Sequence, residues 1–171
     1  MALSDKKALL VLPPRDFEFK EYEITRKALE SNGVKVEIAS SFPGGHRSTS
    51  GRFAYCDKRI KDVKYYDYDA IVFVGGPGAK MFFDDEDVKK LAKDAEYKIL
   101  GAISTAPGIL AAAGVLKEKM ATGDTSIAGT LESNGATFTN RPLQVDGKIV
   151  TAKDSRVAPH FAAAVVELLK S

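Results

Sequence analysis

Residues 97–116 read YKILGAISTAPGILAAAGVL, and the order of side-chain types in this stretch decides the fold. The apolar run 99–103 has the length and character of a buried strand. It stops at Ser104-Thr105, and a small-residue segment of helical character begins at once. A strand, a sharp turn and a helix in that order form half of a β-α-β unit. The turn displays one side chain at the carboxyl end of the strand, and here that side chain is a serine.

The same alternation extends outward in both directions. Upstream, KALLVLPP (7–14) is a buried strand stopped by two prolines, which cannot continue a ladder. EFKEYEITRKALESNG (18–33) places Tyr22, Ile24, Ala28 and Leu29 at near-helical spacing and ends at Asn32-Gly33. VKVEIAS (34–40) alternates and is β-branched, giving a second strand. Residues 41–55, SFPGGHRSTSGRFAY, carry no usable period and read as a long loop leading to an edge hairpin at 53–60. YDAIVFVGGPG (68–78) is a further buried strand ending in a glycine pair, and DDEDVKKLAKDAE (84–96) is its helix. Downstream, 117–126 gives a short strand and loop, 126–135 a short helix, LQVDGKIVTA (143–152) a hairpin around Asp146-Gly147, and 157–171 a closing amphipathic helix. Strands alternating with helices, with no linker or repeat, imply an α/β fold: a mainly parallel sheet with helices on both faces, in one domain spanning 1–171.

Composition narrows the function. The net charge of +2 is too small and too scattered to make nucleic acid or an anionic membrane a default partner. No apolar run is long enough to cross a bilayer, and the first residues lack a signal-peptide layout, so the expected location is the cytoplasm. The single cysteine, Cys56, cannot close an internal disulfide and reads as a small apolar filler in an edge strand. With His46 and His160 the only histidines and no Cys/His cluster at zinc spacing, no metal is expected. No cofactor is expected either, because GGPG lacks the Gly-Lys-Ser/Thr ending of a phosphate loop and the full dinucleotide fingerprint. GAISTAP is also not a GxSxG elbow, since Ile103 and Thr105 flank the serine.

In such sheets the ligand crevice lies at the carboxyl ends of the strands. Four segments converge there: the one carrying Glu18 and Glu21, the Gly75-Gly76 turn, Ser104-Thr105, and the loop 41–52 with His46. The amides of the glycine turn and of Thr105 could hold an oxyanion, or the glycines could simply make a strand-to-helix turn. The partner implied by this arrangement is a small-molecule substrate.

Five segments in order, DFEFKEYE (16–23), YDAIVFVGGPGA (68–79), GAISTAPGILAAAGVL (101–116), NGATF with VDGKIVTA, and the closing helix, resemble the PfpI/ThiJ family over nearly the whole chain. That family includes cysteine-protease-like proteins and a deglycase. The resemblance implies a flavodoxin-like three-layer sandwich, a homodimer or higher homo-oligomer with its site near a subunit interface, Glu21 as the glutamate that hydrogen-bonds the nucleophile, and Gly76 and Thr105 as the turn amides beside it. Ser104 falls where the family carries cysteine. Three departures accompany it. Thr105 stands where some members have histidine; Gly123 stands where others have histidine or a bulky aromatic, which should widen the pocket; Asp154 and Ser155 occupy a turn where relatives often have Gly-Pro.

A serine needs a positioned general base, whereas a thiol can be activated by a helix amino terminus alone. One reading therefore makes Ser104 the nucleophile of a serine hydrolase acting on small activated esters or amides. In it His46 serves as base, Asp124 or Asp154 orients that base, and Gly75, Gly76 and Thr105 form the oxyanion hole. The other reading makes Ser104 the replacement, natural or introduced, of a lost cysteine in a catalytically silent interaction or chaperone-like module, or the remnant of a glyoxalase or deglycase.

Overall fold

A computed structural model describes residues 3–171. The elements in chain order are β1 (Lys7–Val11), α1 (Phe19–Ser31), β2 (Lys35–Ser40), β3 (Gly44–Arg47), β4 (Phe53–Cys56), β5 (Lys58–Arg59), β6 (Ala70–Phe73), α2 (Glu86–Asp94), β7 (Ile99–Ile103), α3 (Pro107–Ala112), β8 (Met120–Ala121), α4 (Ala128–Ser133), β9 (Thr137–Phe138), β10 (Leu143–Asp146), β11 (Ile149–Ala152) and α5 (Ala158–Leu169). Seven strands form the main sheet in the order β10-β11-β7-β6-β1-β2-β5. Only the β10–β11 edge pair is antiparallel, the hairpin expected around Asp146-Gly147. The remaining neighbours run parallel, with β6 and β7 in register from Ala70–Ile99 to Phe73–Ala102.

Strand periodicity explains the three layers. In β1, Leu9 and Val11 point into a cluster with Val88 and Leu91 of α2 and Ile109 and Leu110 of α3. Ala8 and Leu10 point the other way, toward Tyr22 and Leu29 of α1 and Phe161 and Val165 of α5. Both faces are therefore covered, which is why β1, β6 and β7 read as unbroken apolar runs rather than as alternating ones. Gly101 in the middle of β7 keeps the second face flat; a Cβ there would meet the Phe161 ring at 2.9 Å.

The departures from the expected elements lie in residues 41–60 and 137–138: the edge hairpin expected at 53–60 does not form, because Lys58–Arg59 joins the main sheet parallel to β2 and Phe53–Cys56 pairs elsewhere, and the unexpected β9 pairs with β8. Gly44–Arg47 pairs with Phe53–Cys56 as an antiparallel hairpin outside the main sheet, with His46 opposite Ala54. Backbone pairing carries this hairpin, and its exposed face needs no apolar period, so its composition reads as loop. Among the described residues, no helix is long and apolar enough to cross a membrane.

Candidate active site

β7 delivers Ser104 and β6 delivers Gly75 to the same end of the sheet. Ser104 continues the ladder, its N–H donating to Ala152 O at 2.9 Å. The chain then reverses into α3 within three residues, and this requires Ser104 to adopt φ 57°, in the left-handed region. That conformation costs a non-glycine residue about 1–2 kcal/mol. Glycine at 104 is therefore expected to give a more stable protein than alanine at 104 by about 1 kcal/mol, the reverse of the usual order, in paired urea titrations of Ser104→Gly and Ser104→Ala.

The strain places the hydroxyl against Glu21. Ser104 Oγ donates to Glu21 Oε1 at 3.2 Å, and the Gly75 N–H donates to the same oxygen at 2.9 Å. Glu21 lies in the first turn of α1 yet is completely buried. Burial pushes its carboxyl up to about 7, outweighing the hydrogen bonds from Ser155, Gly75 and Ser104, which favour the ionised form, while the Glu18 charge adds to the rise. A carboxylate on a hydroxyl, half protonated near neutrality, is suited to general-base work.

The turn amides are less free than the sequence implies. The Gly75 N–H is committed to Glu21, which corrects its assignment to the oxyanion hole. The Gly76 N–H donates to Thr105 Oγ1 at 3.1 Å, and that hydroxyl donates to Gly76 O at 2.6 Å. Of these turn amides only the Thr105 N–H has no partner among the described residues, whereas the Gly76 N–H is already held by the Thr105 hydroxyl. Both residues line a cavity of about 370 Å³ together with Glu18, Lys80, Ser104 and Asp154.

Other expected site residues are placed elsewhere. His46 is not the base: its ring is buried in the β3–β4 hairpin, with Nδ1 2.7 Å from Pro14 O and Nε2 2.8 Å from Phe42 O. With both nitrogens held by main-chain oxygens, it cannot reach this serine. Gly123 does not widen the pocket; it is buried beneath the elbow, where a Cβ would meet Ile127 Cδ1 at 2.8 Å and Ser104 O at 2.9 Å. Asp124 and Asp154 cap turns, accepting from Ser126 N and Arg156 N at 2.9 Å each, and neither orients a base. His160 is exposed on α5. Cys56 is buried, and its thiol is pushed up to about 12 by burial and by the neighbouring Asp57 charge, so it supplies no thiolate.

Sequence reasoning did not find the part played by Ser155, whose Oγ lies 2.9 Å from Glu21 Oε2 across 134 residues of chain. The only signal was its position in a turn where relatives often have Gly-Pro. Among the described residues, no group of three His, Cys, Asp or Glu side chains converges as a metal site would require.

A strained elbow residue at the carboxyl end of a parallel sheet, backed by a buried glutamate, defines the class: an α/β sandwich with a nucleophile-type turn. The model of the DJ-1/PfpI family matches residues 6–168, and the chain belongs to that family. An uncharacterized protein of Methanocaldococcus jannaschii is 34% identical over 173 residues, covering 98% of this chain and 84% of that protein. The glutathione-independent glyoxalase DJR-1.2 of Caenorhabditis elegans is 28% identical over 169 residues, covering 98% and 90%. The crystal structure of a ThiJ/PfpI domain protein from Brachyspira murdochii superposes with a TM-score of 0.92 at 31% identity, covering 96% of each chain.

Proposed function

We propose that the protein is a hydrolase of small activated esters or amides in which Ser104 is the nucleophile and Glu21, rather than a histidine, is the base. The observation that carries this reading is the 3.2 Å bond from the Ser104 hydroxyl to a fully buried carboxylate. As Ser104 Oγ bonds to the substrate carbonyl carbon, its proton passes to Glu21 Oε1 and the carbonyl electrons move to the oxygen, held by the Thr105 amide. Collapse expels the leaving group; an alkoxide or amine takes the proton from Glu21, whereas a stable anion such as p-nitrophenolate departs without it and Glu21 must shed that proton before it can act again. Water, deprotonated by the same carboxylate, then hydrolyses the acyl-serine, and the proton returns to Ser104 as the acid departs.

The ionised carboxylate is the active form, so turnover of p-nitrophenyl acetate is expected to rise with pH through about 7, the value that burial gives Glu21. Glu21→Gln is expected to lower that turnover by about 100-fold, the lower end for loss of a positioned base. A flat profile between pH 5 and 9, or equal rates for the two proteins, would contradict the assignment.

The glyoxalase named among the relatives supports a second reading of the same cavity, in which small aldehydes add to the elbow side chain. That chemistry favours a thiol, and a cysteine at 104 would direct its sulfur along the bond that now carries the serine oxygen toward Glu21. Activity on methylglyoxal that appears in Ser104→Cys and is absent from the wild type would favour it.

A further inference from the structure

Glu21 is fully buried at the floor of the cavity it helps to line, so a proton bound there leaves through the hydroxyls that cover it. Its two oxygens are used unequally. Oε1 accepts from both Gly75 N, at 2.9 Å, and Ser104 Oγ, at 3.2 Å. Oε2 meets one group, the Ser155 hydroxyl, at 2.9 Å. In the resting site, with two donors already aimed at Oε1, a proton on the neutral acid sits on Oε2, facing Ser155; a proton taken up on Oε1 during turnover reaches that position by a half-turn of the carboxyl group. That hydroxyl also lies 3.4 Å from Oε2 of Glu18, a partly exposed residue at the rim of the cavity. The other Glu18 oxygen is held by Thr49 Oγ1 at 2.8 Å.

A serine hydroxyl has one proton and two lone pairs, so Ser155 can donate to only one of the two glutamates at a time. When Glu21 is ionised the hydroxyl donates to it; when Glu21 is neutral the hydroxyl accepts from it and turns its own proton to Glu18. We infer that Ser155 is a two-position relay connecting buried Glu21 to Glu18 and solvent. In the outward step the Glu21 Oε2 proton passes to Ser155 Oγ as the Ser155 proton passes to Glu18 Oε2, and rotation of the hydroxyl resets it. One proton leaves Glu21 and one arrives on Glu18, and no charge remains on the serine.

The surrounding charges suit this route. Lys80, Asp124 and Asp154 border the same cavity. Asp154, one residue before the relay, is closed on Arg156 at 2.7 Å, which fixes the turn and removes that carboxylate as a competing acceptor. Glu18 is thus the acidic group left within reach of the Ser155 hydroxyl.

The inference rests on Glu21 acting as the base, but its first test needs no substrate. Carboxyl carbons of glutamate-labelled wild type, Ser155→Ala and Ser155→Thr are followed by NMR from pH 3 to 10. In the wild type, the Glu18 signal is expected to show a second inflection at the Glu21 midpoint, because the hydroxyl swings as Glu21 titrates. Ser155→Ala is expected to raise the Glu21 midpoint by about one unit and to shrink that inflection to the part that direct charge coupling between the two carboxylates leaves, while Ser155→Thr keeps both the midpoint and the full inflection. An unchanged midpoint in Ser155→Ala, or a Glu18 inflection of undiminished size, would overturn the relay. The second test is ester turnover in dilute buffer, expected to fall about tenfold in Ser155→Ala and to recover with added imidazole. A fall that imidazole does not repair would also overturn it. Wild-type protein that hydrolyses no ester would instead remove the hydrolase reading, and the titration would still decide the relay.

Discussion

Glu21→Gln is expected to be more stable than the wild type at pH 8 by about 3 kcal/mol and equal to it near pH 4.5. Burial pushes the Glu21 carboxyl up to about 7 from an ordinary 4.5. Between those values the folded chain holds a proton that the unfolded chain has released. The stability this group contributes is therefore complete below pH 4.5 and is lost as pH rises through 7, a change of about 3 kcal/mol. Glutamine keeps an oxygen for the Gly75 and Ser104 donors and presents an N–H to Ser155, as the neutral acid does, without the cost of a buried charge. Glu37 acts in the opposite sense. Burial opposes its ionisation, but donors on Tyr68, Lys7 and Lys58 outweigh burial and bring it down to about 2, so its contribution is present above pH 4.5 and is lost in acid. Urea titrations of both proteins at pH 4.5 and pH 8 separate the two effects. Equal differences at the two pH values would mean that Glu21 is not held neutral by burial.

Gly75→Ala is expected to cost about 3 kcal/mol or more and to abolish any chemistry at the elbow. A Cβ at this position would lie 2.0 Å from Ser104 Oγ, 2.3 Å from Ile103 O and 2.9 Å from Glu21 Oε1. The serine could rotate away, but the Ile103 carbonyl belongs to the central strand β7 and can retreat only by moving the sheet. The same shift would break the Gly75 N–H bond to Glu21. Denaturant titration reads the cost directly, and a loss below 1 kcal/mol with the elbow intact would show that β6 and β7 separate more easily than their packing implies. The glycine pair is thus a requirement of the close approach between two strand ends, with the second glycine, at φ 116°, turning the chain into the segment Pro77–Phe82.

The sequence reads well where burial imposes a period and poorly where contacts join distant residues. Leu9 and Val11 against Ala8 and Leu10, and the break at Ser104, reveal a two-faced parallel sheet and its elbow because local order alone determines them. Glu21 near the start of α1 looks from sequence like an acid placed to complement a helix amino terminus; its resemblance to a family glutamate pointed to Ser104, but its complete burial goes with the turns carrying Gly75, Ser104 and Ser155, which meet it from distant parts of the chain. His46 failed as a base for a related reason. Its segment emerges on the crevice side, as expected, but the hairpin turns the ring inward onto the carbonyls of Pro14 and Phe42. Gly123 looked like a vacancy because a small residue stands where larger ones occur, yet the backbone of the elbow already fills the space beside it.

The central claim is that the buried carboxylate activates the elbow hydroxyl, and covalent trapping tests it most directly. Wild type, Ser104→Ala and Glu21→Gln are incubated with a fluorophosphonate at pH 8 and weighed intact. The account predicts one adduct per chain in the wild type, none in Ser104→Ala, and labelling of Glu21→Gln about 100-fold slower. A wild type that remains unlabelled at millimolar probe, or that labels at the same rate as Glu21→Gln, would contradict the account and leave Ser104 as a silent residue on a strained turn.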